Sequence, residues 1–185
     1  LQIEHAIARE ALRLALIHHK SLATALKGVQ QERTISDVFE QQQSGKTLID
    51  MLKLDLIVGS GGILSHAPRR IQSMLMMVDA YEPLGVTRLS VDSIFMMPHL
   101  GVLSTINEKA ATDVFVRDCM VYLGTCVAPI GEGKDGDRCA DYVITFPDGR
   151  IDKGALAFGD LRLVPLAGDQ KASITIQPVK QVNLG

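Results

Sequence analysis

Four small residues, Gly59, Ser60, Gly61 and Gly62, follow an apolar stretch in the segment DLIVGSGGILSHAP and precede a stretch compatible with a helix. Glycine lets a ligand approach the main chain, and amides at the start of a following helix carry partial positive charge. A turn of this composition suits a nucleotide or a phosphate group. The alternative is a tight connection between a strand and a helix that binds nothing, and the glycines alone do not separate the two.

Familiar motifs for nucleotide binding and nucleophilic catalysis do not fit this region. A dinucleotide fingerprint that starts at Gly59 requires glycine where Leu64 stands. The string SGKT at residues 44–47 mimics the end of a P-loop, but Glu40 occupies the position of its first glycine. Ser60 lacks the G-x-S-x-G spacing of a nucleophilic serine. The turn must therefore be interpreted without these motifs.

The histidines and methionines of this region could bind a metal or a partner, but each has a simpler structural interpretation. His66 and His99 have no carboxylate or cysteine at ligand spacing, so we interpret them as structural histidines. Methionine is a flexible side chain that fills gaps in a core, and we assign that role to the methionines of this region, which are Met74, Met76, Met77, Met96 and Met97.

Composition indicates a globular protein with a core of ordinary size. The chain has 185 residues, of which 46% are hydrophobic and 22% charged, with a formal net charge of −2. This charge argues against nucleic acid or a membrane surface as the main partner. No stretch approaches the roughly 20 apolar residues that span a bilayer. We expect a cytoplasmic protein and leave open whether it forms a homo-oligomer.

The cysteines and the first residue bear on context. Cys119, Cys126 and Cys139 are odd in number and have no C-x-x-C spacing, which disfavours a disulfide framework or a zinc knuckle.

The chain begins at Leu1, without methionine and inside a helical pattern, and we interpret it as a piece of a longer polypeptide.

Hydrophobic periodicity predicts alternating helices and strands up to residue 128. We expect an amphipathic helix at 3–19, a polar insertion at 28–45 with a short helix after Ser36, a helical turn before a buried strand at 54–58, and a helix from Pro68 to just before Pro83. Next come a short strand at 89–91, an apolar turn, and a helix at 106–124. The order of strand, glycine turn and helix is the key arrangement.

Beyond residue 128 the pattern changes to short strands. A hairpin is expected around Asp148 and Gly149, and ASITIQPV alternates as a strand does. We therefore place a domain boundary near Ala128, with a β-rich extension over 129–185.

The string LIVGSGGILSHAP resembles the adenosine-binding motif of the superfamily that contains sugar kinases, 70-kilodalton heat-shock chaperones and actin. The longer string GGILSHAPRRIQSMLMMVDAYEPLGVTRLSVDSIFMMPHLGVLS, with Asp118–Cys119 and the ending ITIQPVKQVNLG, resembles the MutL family encoded beside cobalamin-dependent glutamate mutase. That family is unrelated to the mismatch-repair protein of the same name.

The resemblance implies an α/β fold, the C-terminal half of an actin-like (ribonuclease H-like) ATPase domain over residues 1–128, followed by the small β-rich extension. It implies a chaperone-like reactivating factor that uses ATP, with Mg²⁺, on the subunits of a cobalamin-dependent mutase. By position, Gly59, Ser60, Gly61 and Gly62 would face the adenosine and nearby phosphates. Ser65 would stand at the start of the helix that closes on them, and Gly101 at a close approach of two helices near a hinge.

One part of the superfamily pattern is missing. Its D-x-G-x-T hairpin and second aspartate-glycine turn, which position magnesium and the attacking water, have no match in this sequence. The resemblance therefore implies that this chain holds only part of the nucleotide pocket, that the magnesium ligands lie outside it, and that it hydrolyses no ATP alone.

Two other functions stay open at this stage. The chain could be a non-enzymatic interaction module whose glycines only turn the backbone and whose methionine-bearing segment docks a partner. It could also be a small complete kinase, provided that a pair of carboxylates such as Asp79 and Asp92 converges on the pocket.

Overall fold

The computed structural model describes residues 2–23, 48–168 and 170–184. The expected polar insertion with its short helix, and the SGKT string, lie outside these residues. The chain separates into two compact units, the first formed by residues 1–83 and 87–126 and the second by residues 84–86 and 127–185. Each unit has its own buried clusters.

The first unit is a mixed α/β arrangement around a small sheet with strand order β1-β2-β3. Strands β1 and β2 run parallel, as expected, but β1 lies at one end of this sheet and only its last residue, Gly59, is buried, so the expectation of an inner strand buried on both faces is wrong. In chain order the elements are α1 (Gln2–Leu22), a 3₁₀ turn (Met51–Lys53), β1 (Leu56–Gly59), α2 (Gly62–Ser65), α3 (Arg70–Tyr81), β2 (Gly85–Asp92), α4 (Met97–Ser104), α5 (Glu108–Val114), a π-helical turn (Phe115–Cys119) and β3 (Met120–Ala128).

The core of this sheet lies between β2 and α3. Leu89 and Val91 of β2 are fully buried, and they cluster with Leu64, Met76 and Met77. The interpretation of Met76 and Met77 as core filler is confirmed. The fully buried face of α3 consists of Ser73, Met76, Met77 and Ala80, at the i, i+3, i+4, i+7 spacing of one helix face.

Ser73 explains why sequence reasoning did not find this face. Its hydroxyl donates to the carbonyl oxygen of Leu64 at 2.6 Å, so a polar residue occupies a buried position at little cost. The helical periodicity of this segment predicts a buried side made of Ile71, Met74, Leu75, Val78 and Tyr81. These residues lie beside the buried face instead: Ile71 is exposed, Leu75 is half-buried, and Met74, Val78 and Tyr81 pack at the margin of the core.

The predicted helix over residues 106–124 is wrong in its second half. Helix α5 ends at Val114 and continues as the π-helical turn, after which Met120–Ala128 is a strand beside β2. The sequence MVYLGTCVA is rich in residues that favour strands, and pairing with β2 outweighs the helical periodicity. The segment expected to be an apolar turn is helix α4, with Pro98 in its first turn.

The second unit consists of two small antiparallel sheets. One has the order β6-β5-β7 and the other pairs β4 with β8. The hairpin at Asp148 and Gly149 is confirmed, because β5 and β6 pair across it and Gly149 adopts a φ of +82°. The strand expected in ASITIQPV is β7. The strands are β4 (Ile130–Gly131), β5 (Arg138–Thr145), β6 (Ile151–Ala157), β7 (Ser173–Pro178) and β8 (Val182–Asn183).

The three cysteines are free thiols in protected positions. Cys119 and Cys139 are buried and Cys126 is half-buried. Burial raises the pKa of all three thiols, and the nearby Asp92 and Asp118 raise the pKa of Cys119 further. Fewer thiolates are therefore present at a given pH than in the unfolded chain.

We expect the folded protein to react slowly with iodoacetamide. At pH 8 each cysteine should alkylate about tenfold more slowly than in urea, since the thiolate is the reacting species. Mass spectrometry of timed samples measures the three rates. Equal rates in the folded and unfolded chains would contradict the burial described here.

No helix among the described residues is both long and apolar enough to cross a membrane.

Candidate functional site

The glycine turn and the end of β2 meet at one edge of the sheet. Strands β1 and β2 are parallel, with Gly59 opposite Val91, so the residues that follow both strands emerge at the carboxyl edge. Ligands of open α/β sheets bind at this edge. Asp92, which ends β2, lies there beside the glycine turn.

Gly59 lies against the core. A Cβ atom at this position would lie 2.9 Å from Leu64 Cδ1 and 2.9 Å from Met77 Sδ. Both side chains are fully buried, so neither has free space to move into. Packing therefore requires glycine at position 59, whatever the turn binds.

Gly61 and Gly62 are open. Apart from its chain neighbours and the backbone of its own helix, a Cβ atom at either position would meet no heavy atom of the described residues within 4 Å, and Gly61 has a φ of +98°. Gly61 is the N-cap residue of α2, and no side chain caps that end. The N–H groups of Gly62 and Ile63 lie in the first helical turn, where no intrahelical acceptor exists. The main chain is thus approachable at these two glycines.

The two serines of the site differ in exposure. Ser60 is half-buried, and its hydroxyl oxygen lies 3.5 Å from Asp92 Oδ2. Ser65 is buried at the end of the short α2, not at the start of a helix as the resemblance implied. Its hydroxyl donates to the main-chain carbonyl of Asp92, and its own carbonyl accepts from Arg70 at 2.7 Å. Ser65 therefore fixes the turn to the end of β2.

The role of Asp92 at this site was not predicted from the sequence, which indicated it only as one of a possible pair of carboxylates. Its side chain is 0% exposed. Oδ2 accepts from the N–H of Met97, at the start of α4, at 2.7 Å. Oδ1 has no hydrogen-bond partner among the described residues. An acidic residue directly after the apolar run of a buried strand was the available signal.

Asp79 and Asp92 are not brought together. Asp79 is exposed on α3 and pairs with Arg9 of α1 at 3.2 Å, whereas Asp92 contacts Ser60 and Met97. The kinase hypothesis required these two carboxylates to converge on one pocket, and the structure does not support it.

Three minor expectations also need correction or comment. His66 and His99 are both exposed, so neither is part of a buried core. No described atom outside its own helix lies within 4 Å of a Cβ built on Gly101, so the structure shows no close helix approach there. Among the residues that the structure covers, no three histidine, cysteine, aspartate or glutamate side chains are grouped so as to hold a metal ion.

A shallow depression in the second unit is a weaker candidate. Its charged lining mixes Glu132, Lys134 and Asp137. Its glycines serve packing, because a Cβ on Gly131 would lie 2.6 Å from Val182 and one on Gly133 would overlap the ring of Phe158. The carboxyl edge of the first unit, with open glycines and an unpaired carboxyl oxygen, is the better site.

The fold and site define an α/β protein with an open glycine turn at the carboxyl edge of a parallel pair of strands. The family model described as MutL protein matches residues 1–119, well over half of the chain. The chain therefore belongs to the MutL protein family, which confirms the family resemblance. The match ends with the π-helical turn, and strands β3 to β8 follow it. No curated protein and no solved structure matches this chain significantly.

Proposed function

We propose that this chain is the ATP-binding portion of a chaperone-like reactivating factor for a cobalamin-dependent mutase such as glutamate mutase. On this proposal the first unit is the C-terminal half of an actin-like ATPase domain. Membership of the MutL family supports the proposal. The single structural observation that carries it is the open, uncapped main chain at Gly61 and Gly62 on the carboxyl edge.

The residues present fit the adenosine part of ATP. The glycines leave space for a flat group against the main chain, and the unpaired Oδ1 of Asp92 offers an acceptor nearby. In this proposal Ser60, Gly61 and Gly62 contact the nucleotide. Gly59 and Ser65 hold the turn, through packing and through the bond to Asp92. When bound, ATP supplies the free energy for work on the mutase, and its Mg²⁺ takes protein ligands from outside this chain.

A non-enzymatic interaction module is the second candidate, and helix α1 favours it. Ile3, Ile7, Leu14 and Ile17 are exposed and share one face of this helix, while Ala8 and Leu12 pack against the core. An exposed apolar stripe of this kind suits a protein partner. In that case the open glycines would bind nothing.

Titration of the chain with ATP and ADP separates the two functions. We expect measurable heat of binding to the unmodified chain. Gly61→Asp should weaken the affinity at least about tenfold, because its carboxylate repels phosphate and a side chain fills the open space. A folded protein that gives no heat with either nucleotide would contradict the proposal and support the interaction module.

Two further variants control for strain and position. A side chain at the φ of Gly61 is strained whatever its charge, so Gly61→Ala reports the combined effect of strain and of a methyl group in the open space, without the charge. Gly62→Ala places a methyl group in open space on a helix and should keep the fold. No variant or parent chain should hydrolyse ATP faster than buffer. Robust turnover would mean that a complete catalytic site is present.

A further inference from the structure

The two carboxyl oxygens of Asp92 differ. The fold provides a hydrogen-bond donor for Oδ2 but none for Oδ1 among the described residues. Oδ2 accepts from Met97 N–H and so satisfies an N–H group at the start of α4. Oδ1 is buried without a partner, and no lysine, arginine or histidine of the described part of the chain bonds to this side chain. A buried polar atom without a partner costs roughly 1–3 kcal/mol. Support of α4 requires only Oδ2, so Oδ1 needs another explanation.

The alternation of side chains places Ser60 and Asp92 on the same side of the sheet. Gly59 and Val91 are opposite each other in the register and both face Leu64 and Met77. Asp92, the next residue of β2, points to the other side. Ser60 follows the end of β1, and its Oγ lies 3.5 Å from Asp92 Oδ2, so both side chains lie on the side of the sheet that faces away from α3.

We propose that Asp92 Oδ1 accepts a hydrogen bond from the sugar or base of the bound nucleotide and thereby selects the ligand. This inference rests on the proposed function. An unpaired carboxyl oxygen is satisfied by an O–H or N–H donor, and phosphate oxygens are acceptors. On ATP the donors are the ribose hydroxyls and the amino group of adenine. Asp92 thus directs the neutral half of the nucleotide to the turn.

Ser60 contacts the other oxygen of this carboxyl group. The 3.5 Å between its hydroxyl and Asp92 Oδ2 is the long limit of a hydrogen bond, so the bond is weak and rotation of the serine side chain costs little. Ser60 is half-buried, and in this proposal its side chain turns toward the bound nucleotide.

The test compares ATP with three analogues that each lack one donor: 2′-deoxy-ATP, 3′-deoxy-ATP and purine riboside triphosphate. Calorimetric titration of the unmodified 185-residue chain should show that one analogue binds about tenfold more weakly than ATP, the usual effect of one lost hydrogen bond. The analogue that loses affinity identifies the donor as a ribose hydroxyl or the base amino group.

Asp92→Asn and Asp79→Asn form a matched pair for this experiment. Asparagine at position 92 can still accept from Met97, but it replaces one acceptor oxygen with an amide donor. Its preference for ATP over the weak analogue should fall below about twofold. Asp79→Asn, on exposed α3, should keep the full preference. Circular dichroism and thermal melts verify that both variants fold.

A readout without any variant is the ¹³C resonance of the Asp92 carboxyl group, which should shift with ATP and not with the weak analogue. The inference is overturned if all three analogues bind as tightly as ATP, if folded Asp92→Asn keeps the preference, or if the resonance does not move. Absence of ATP binding to the unmodified chain would instead overturn the proposed function, and this inference with it.

Discussion

Leu89→Ala is expected to lower the free energy of unfolding by about 3 kcal/mol. Leu89 is 0% exposed on β2 and belongs to the cluster with Leu64, Val91 and the methionines of α3. Removal of three buried carbon atoms loses their transfer free energy and leaves a cavity in a packed core, which typically costs 2–5 kcal/mol. Urea denaturation, followed by circular dichroism, measures the change.

Ile106→Ala is the matched control for Leu89. Ile106 follows α4 in the same unit and is 84% exposed, so its truncation should change stability by less than about 0.5 kcal/mol. Similar losses for both variants would contradict the placement of the core between β2 and α3.

Gly59→Val is expected to destabilise the protein by about 2–3 kcal/mol. Its Cβ would lie 2.9 Å from atoms of both Leu64 and Met77, and the two branches of valine would add further overlap. Overpacking of a filled core typically costs 1–3 kcal/mol. Because both neighbours are fully buried, we place the cost in the upper part of this range. Thermal and urea unfolding measure it.

Gly62→Ala provides the contrast within the same turn. It meets open space and lies at the first position of α2, so it should leave stability unchanged or raise it by up to about 1 kcal/mol. The two variants thus test whether one glycine serves packing and the other access. An equal loss of stability from both would show that the whole turn is packed.

Sequence reasoning found the order of strand, glycine turn and helix because each element has a strong local signal. Gly59 stands where an apolar run ends, and Pro68 precedes the helix that begins at Arg70. The family followed from the same residues. The hairpin at Gly149 was also predictable, because aspartate-glycine is a strong local signal for a turn.

The remaining features depend on tertiary contacts that no local pattern contains. The segment after Val114 has helical periodicity, but pairing with β2 makes Met120–Ala128 a strand. The glycines look alike in sequence, and only the positions of Leu64 and Met77 show that Gly59 has a packing role. Asp92 becomes a candidate only when its buried, half-satisfied carboxyl group is seen beside Ser60.

The position of β3 has a practical consequence for anyone who shortens this protein. The family match stops at Cys119, yet β3, which begins at Met120, lies next to β2 and so makes β2 the central strand. A protein shortened to the matched region would lack β3. The backbone N–H and C=O groups of β2 that pair with β3 would then have no partner. An unpaired strand edge of this kind promotes pairing between chains and aggregation. The homology boundary is thus a poor guide to where the polypeptide can be cut.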